Sequence, residues 1–167
     1  GSMQVGKKDT QTKESFRDAK VHLEFRLPLE EGRFGQHRAN SGVFLNGTYE
    51  VQVLDSFGLI PSMGDCGAIY NLTRPKVNAS LPPLEWQSYD ITFRAPRINA
   101  QGEIEKLPRI TVEFNGVVIH QDLEIQTPTA DPKKPHVASG PLILQDHGSL
   151  VQYRNIWLVP LPAEDKK

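Results

Sequence analysis

Apolar and polar side chains alternate with period two over most of this chain. In "KVHLEFRL", Lys20 to Leu27, the side chains of Val21, Leu23, Phe25 and Leu27 share one face, and His22, Glu24 and Arg26 share the other. That is the pattern of a half-buried strand. The same alternation predicts strands at Ser41–Leu45, Tyr49–Leu54 and Trp86–Ala95, in "RITVEF" and "VVIHQD", and in "GPLILQ" and "VQYRNIWLVP". Asn46-Gly47 and Asn115-Gly116 each separate two such runs, and this dipeptide predicts a hairpin turn. "GAIY", residues 67–70, reads as one more brief strand. No stretch carries a helical stripe. About nine or ten short strands divided by turn signals predict an all-β antiparallel sandwich.

Between the strands lie connections at 28–40, 55–66, 71–84, 96–108 and 126–139. Several are longer than most links in compact domains, and long loops on a sandwich often build a site. Residues 1–15 are polar and lack periodicity, which predicts a frayed start or an edge strand. The expected organisation is therefore a polar segment at 1–15, one sandwich domain at 16–162 and a charged tail at 163–167.

Composition narrows the function classes. A chain of 167 residues supports one hydrophobic core, and 13 Gly with 13 Pro accord with a turn-rich fold. The net charge is −1, with acids and bases interspersed, so no basic stripe of the nucleic-acid-binding kind is present. No apolar run approaches the roughly 20 residues of a membrane helix. No signal peptide is visible, and the opening "GSM" reads as a cloning remnant. The single cysteine, Cys66, excludes an intrachain disulfide and a multi-cysteine zinc site. Between glycines it reads as a small buried residue.

Several polar residues share strand faces. Glu50 and Gln52 lie side by side, with Asp55 just beyond. His22, Glu24 and Arg26 form a second set, and Gln152 and Arg154 a third, opposite Tyr153 and Trp157. Gln145 and His147 would share a face if their strand ran that far. Were these strands neighbours, their faces would merge into a patch of Glu, Gln, His and Arg suited to vicinal hydroxyls. An ordinary solvated face is the alternative. His22 with Glu24, and His120 with Asp122, have spacing open to a metal, but two ligands do not make a site. Trp86 offers either a sugar-stacking ring or core packing. Phosphate loops, nucleophile elbows and zincin motifs are absent.

Five stretches in order, "RDAKVHLEFRLP", "NSGVFLNGTYEVQVLDSFG", "CGAIYNLTRPKVNASLPPLEWQSYDITFRAPR", "VEFNGVVI" and "GPLILQDHGSLVQYRNIWLVPL", resemble the bacterial 3-keto-disaccharide hydrolase domain family. The resemblance spans about residues 12–161. It implies the concanavalin A-like jelly roll of two antiparallel sheets, with carbohydrate on the concave face and its rim loops. It also implies a carbohydrate-active, exported (periplasmic or extracellular) protein that hydrolyses 3-keto-glycosides by elimination and hydration. A ligand of oligosaccharide or keto-sugar type follows, and a divalent metal is a candidate cofactor. On this reading Glu50 or His147 is the base, and Arg154, Arg26 or a metal held near His22 and Glu24 steadies the enolate. Asn40, Gln52, Asp55 and Gln145 hold sugar hydroxyls. Relatives usually begin with a segment like "LFNGKDLSGW" and a further strand ahead of the "TK..F.D" pattern met here at Thr12, Lys13, Phe16 and Asp18. That beginning is not seen here. A non-catalytic carbohydrate-binding module on the same fold is the rival reading.

Overall fold

The structure, a computed structural model, describes residues 1–129 and 131–162. The tail expected at 163–167 lies outside them. Among the described residues the regular structure is strand, apart from one 3-10 turn at Gly35–His37. The strands are β1 (Met3–Gln4), β2 (Thr10–Gln11), β3 (Ala19–Arg26), β4 (Ser41–Leu45), β5 (Tyr49–Val53), β6 (Trp86–Arg94), β7 (Arg97–Ile98), β8 (Ile104–Lys106), β9 (Arg109–Phe114), β10 (Val117–Glu124), β11 (Ile143–Leu144) and β12 (Gln152–Pro160). They form a six-stranded sheet in the order β1-β12-β3-β6-β9-β10, a four-stranded sheet in the order β2-β11-β4-β5, and the small hairpin β7-β8. All the pairings are antiparallel.

The two larger sheets pack as a β-sandwich. Val21, Leu23 and Phe25 of β3 meet Tyr89, Ile91 and Phe93 of β6 and Val43, Val51 and Val53 of the smaller sheet in one buried core. Each such side chain is worth about 1.5–3 kcal/mol of burial. Polar threads cross this core. The Tyr89 hydroxyl donates to the Gln52 carbonyl at 2.7 Å, and the Ser41 and Tyr153 hydroxyls pair at 2.8 Å. These contacts aim Ser41 inward, so its neighbours Asn40 and Gly42 fall on the outer face of the smaller sheet.

Asn46-Gly47 and Asn115-Gly116 all take positive φ, as a type I′ turn requires. Strand edges move slightly from the predicted ones, and the loop at 96–108 contains the β7-β8 hairpin. "GAIY" is not a strand. Its backbone nevertheless lines the free edge of β5, with Gln52 N donating to Ala68 O, Gly67 N to Gln52 O and Tyr70 N to Glu50 O. Residues 1–15 contribute β1 and β2 at the sheet edges and the fully buried Val5. Cys66 is buried with its Sγ 3.2 Å from the Tyr89 hydroxyl. Burial pushes its thiol up to about 11, which leaves it inert.

Candidate functional site

The polar residues singled out above do not form one patch. They divide between the outer faces of the two sheets, with the core between them. The physical reason is topological: β3 and β12 pair in the six-stranded sheet, whereas β4, β5 and β11 pair in the other.

On the six-stranded face, His22 Nδ1 donates to Asp90 at 2.8 Å, and its ring stacks on Trp157 with centroids 5.3 Å apart. Arg154 Nε donates to Glu24 at 2.6 Å, and Asn155 Nδ2 donates to Glu24 at 3.0 Å. Hydrogen bonds from Asn155 and Arg154 hold the Glu24 carboxyl below its ordinary range. The Arg154 guanidinium lies 4.0 Å from the Trp86 ring centre, and Arg26 donates to Gln152 at 2.9 Å. Strand parity placed Trp157 opposite Arg154. A register shift between Arg154 and Trp157, with Asn155 at φ 48°, instead turns Trp157 onto the face of His22.

The four-stranded face is different. Gln52 opposes Gly42 on β4, and Gln145 N donates to Gly42 O at 2.9 Å on the other side. Gly42 therefore sits between two glutamines. Glu50, one step along β5, leans over it: a Cβ built on Gly42 would run into Glu50 Oε1. The missing side chain leaves the space that the Glu50 carboxylate occupies. Glu50 is only 5% exposed, and no described side chain donates to its carboxylate. Burial alone raises its pKa from 4.5 to about 7. Thr129 holds the backbone beneath it, its Oγ1 accepting from Glu50 N at 2.9 Å.

Gln36, a residue no strand pattern marks, knits the rest together. Its Oε1 accepts from Gln52 Nε2 at 2.9 Å and from Asn40 Nδ2 at 3.2 Å. Its Nε2 donates to Gly64 O at 2.8 Å. Asn40 Oδ1 and Gln145 Oε1 are buried with no hydrogen-bond partner among the described residues. Asp55 is engaged otherwise, accepting from Arg38 at 2.6 Å, so it ties the loops together. His147 stands exposed two residues past Gln145, where β11 has already ended. Phe34 and Met63 lie close in sequence to Gln36 and Gly64, and both are exposed, as is Ile60 at 88%.

Of the predicted set, the structure gathers Glu50, Gln52, Asn40 and Gln145 around Gly42. His147 follows Gln145 in the chain. His22, Glu24, Arg26 and Arg154 lie on the opposite face. The predictions missed Gly42 and Gln36; the close spacing of Gly42 to Asn40 in "NSGV" was the available signal for the first. Among the described residues no three His, Cys, Asp or Glu side chains are grouped to hold a metal ion. One carboxylate with amide oxygens is a thin ligand set for a divalent cation. His120, buried against Gly67 O at 2.8 Å, and exposed Asp122, bound by Arg109, do not converge either. A cavity of about 470 Å³ lies away from this face, between Arg94, Arg97, Lys106 and Arg109. No helix among the described residues is long and apolar enough to cross a membrane.

Residues 1–159 match the family described as 3-keto-alpha-glucoside-1,2-lyase-like domain. No curated protein matches the chain. A crystal structure of a "putative glycosyl hydrolase" from Parabacteroides distasonis ATCC 8503 superposes with a TM-score of 0.89 at 38% identity, over 96% of this chain and 72% of that one. A second from the same organism, with the same description, gives 0.70 at 22% identity, over 96% and 87%. A third gives 0.69 at 16%, over 92% and 76%. These last two bear on the fold alone.

Proposed function

The chain belongs to the 3-keto-alpha-glucoside-1,2-lyase-like domain family, and from that premise we propose that it cleaves 3-keto-glycosides on the face around Gly42, with Glu50 as the base. The observation that carries this reading is Glu50 itself. It is a buried carboxylate to which no described side chain donates, packed over Gly42, with its pKa raised by burial to about 7. A base poised near neutrality is what proton abstraction beside a ketone asks for.

The C3 ketone of such a substrate acidifies the C2 hydrogen. Glu50 takes that proton, the electron pair moves toward the C3 oxygen, and the C1–O bond then breaks as the C1–C2 double bond forms. The leaving oxygen takes up a proton, for which His147 is the rim candidate. Water then adds across C1 and C2, and the net change is hydrolysis. Gln145 Nε2 donates to the C3 oxygen as charge gathers there. Asn40 Oδ1 accepts from a sugar hydroxyl. An exported location belongs to the same proposal.

Incubation with a 3-keto-disaccharide in deuterated water tests it. Sugar release with deuterium at C2, both lost in Glu50→Gln, is the expected result. Release without deuterium at C2 overturns the elimination. Saturable sugar binding without any release would favour the binding-module reading, for which the unpartnered amide oxygens also suffice.

A further inference from the structure

The outer edge of β5 is closed in pieces. The Gln52 backbone turns away from β4, donating to Ala68 O and accepting from Gly67 N. Backbone groups two apart on a strand point the same way, so the Glu50 backbone turns outward too. Its carbonyl accepts from Tyr70 N at 3.2 Å. Its N–H donates to a side chain instead, Thr129 Oγ1 at 2.9 Å. β4 does not supply this contact, because its ladder bonds fall at Tyr49 and Val51 on either side. The Thr129 hydroxyl donates in turn to Thr48 O at 2.9 Å. A hydroxyl has one proton and two lone pairs, so with the proton committed to Thr48 its oxygen is left to accept from Glu50. Thr129 is 4% exposed. The loop that carries it is fixed again beside this point, where His136 Nδ1 lies 2.9 Å from the Tyr49 hydroxyl and the two rings stack. One loop thus grips Thr48, Tyr49 and Glu50 in succession.

We propose that Thr129 is a positioning residue for the Glu50 carboxylate, acting through the Glu50 backbone. This rests on the reading of Glu50 as the base. No described side chain donates to that carboxylate, so its place over Gly42 follows from packing and from the strand it springs from. On the outer edge Tyr70 holds the carbonyl end of that peptide position and Thr129 the N–H end. Without the hydroxyl the Glu50 N–H is a buried donor with no acceptor, which is costly. The edge relieves that cost by opening to water, and the carboxylate shifts with it. A displacement of about 1 Å is enough to cost a large part of a rate.

The test uses the whole chain and a 3-keto-disaccharide. Thr129→Val keeps the shape and loses the hydroxyl; Thr129→Ser keeps the hydroxyl. Thr129→Val lowers kcat by about tenfold or more, with KM within about twofold. It also moves the rising limb of the pH–rate profile below the wild-type position near 7, because water reaching Glu50 undoes the burial that raises its pKa. Thr129→Ser keeps kcat within about threefold and keeps the wild-type limb. Circular dichroism shows that each variant is folded. Thr129→Ala, which removes the hydroxyl without setting a methyl group against the N–H, carries the same expectation should Thr129→Val not fold. A hydroxyl-free variant that loses stability but keeps the wild-type kcat and limb overturns the inference and leaves Glu50 standing as the base. So does a Thr129→Ser protein as impaired as Thr129→Val. Full turnover in Glu50→Gln, or none in the wild type, removes both readings.

Discussion

The two outer faces of the sandwich use similar residue types in opposite ways. On the six-stranded sheet the polar groups answer one another: His22 with Asp90, Glu24 with Arg154 and Asn155, Arg26 with Gln152. Much of this face is also wet, with Trp157 at 44% exposure. On the four-stranded sheet Glu50 and Asn40 are buried, and Asn40 Oδ1 and the Glu50 carboxylate are left without donors. Burying an unsatisfied polar group costs about 1–3 kcal/mol, a cost carried on this face by Asn40 Oδ1 and Gln145 Oε1 and elsewhere by Asn46, Ser80 and Gln87. A charged face that satisfies itself in water has no such debt. The proposed site therefore follows from burial rather than from charge density.

That contrast can be broken experimentally. The largest effect is expected from Glu50→Gln, which should lower turnover of a 3-keto-disaccharide by about 1,000-fold while circular dichroism stays unchanged. Gly42→Ala comes next. Its methyl group displaces the Glu50 carboxylate, and because that is the far end of a flexible side chain the protein should fold. A loss of about 100-fold in kcat/KM is expected, with a crystal structure showing Glu50 moved.

The pH dependence of stability is a third test. The Glu50 pKa is raised on folding from 4.5 to about 7, so the folded state holds the proton more tightly than the unfolded one. The penalty is absent below the unfolded value and grows as pH rises through this window. It is complete above about 7, at up to about 3 kcal/mol. Urea melts should therefore show Glu50→Gln more stable than wild type at pH 8 and similar at pH 4. Activity should rise as pH passes through about 7, because the base works ionised in the folded protein.

The smallest effect is expected at Arg154→Ala. Activity should stay within about twofold and stability should fall by about 1 kcal/mol, the scale of an exposed ion pair and its cation–π contact. An Arg154→Ala protein with wild-type stability but without turnover would overturn the division between the faces.

Period-two alternation was enough to read most of the sandwich from the chain. Val21, Leu23 and Phe25 could only face a core, and the two Asn-Gly pairs could only turn tightly in the hairpin sense. Alternation failed where the backbone broke its own parity. At Asn155 a bulge rotates Trp157 onto the other face, and after Leu144 the strand stops before His147. It also failed for "GAIY", which lines an edge without becoming a strand. Glu50 and Gln52 were legible as a pair, because neighbours two apart on a strand share a face whatever the sheet.

By itself, then, the sequence determined the fold class, the positions of the long strands and hairpin turns, and which side of each long strand is apolar, except beyond the β12 bulge. These follow from local sterics and from the two-residue repeat. Only the tertiary structure decided which polar faces meet, because strand order is a long-range choice that no local pattern encodes. It alone separated Arg154 from Glu50 and brought Gln145 to Gly42 across about a hundred residues. It also brought a loop glutamine into the network that holds Asn40 and Gln52. Burial, and with it the raised pKa of Glu50, exists only once those distant segments close around the carboxylate.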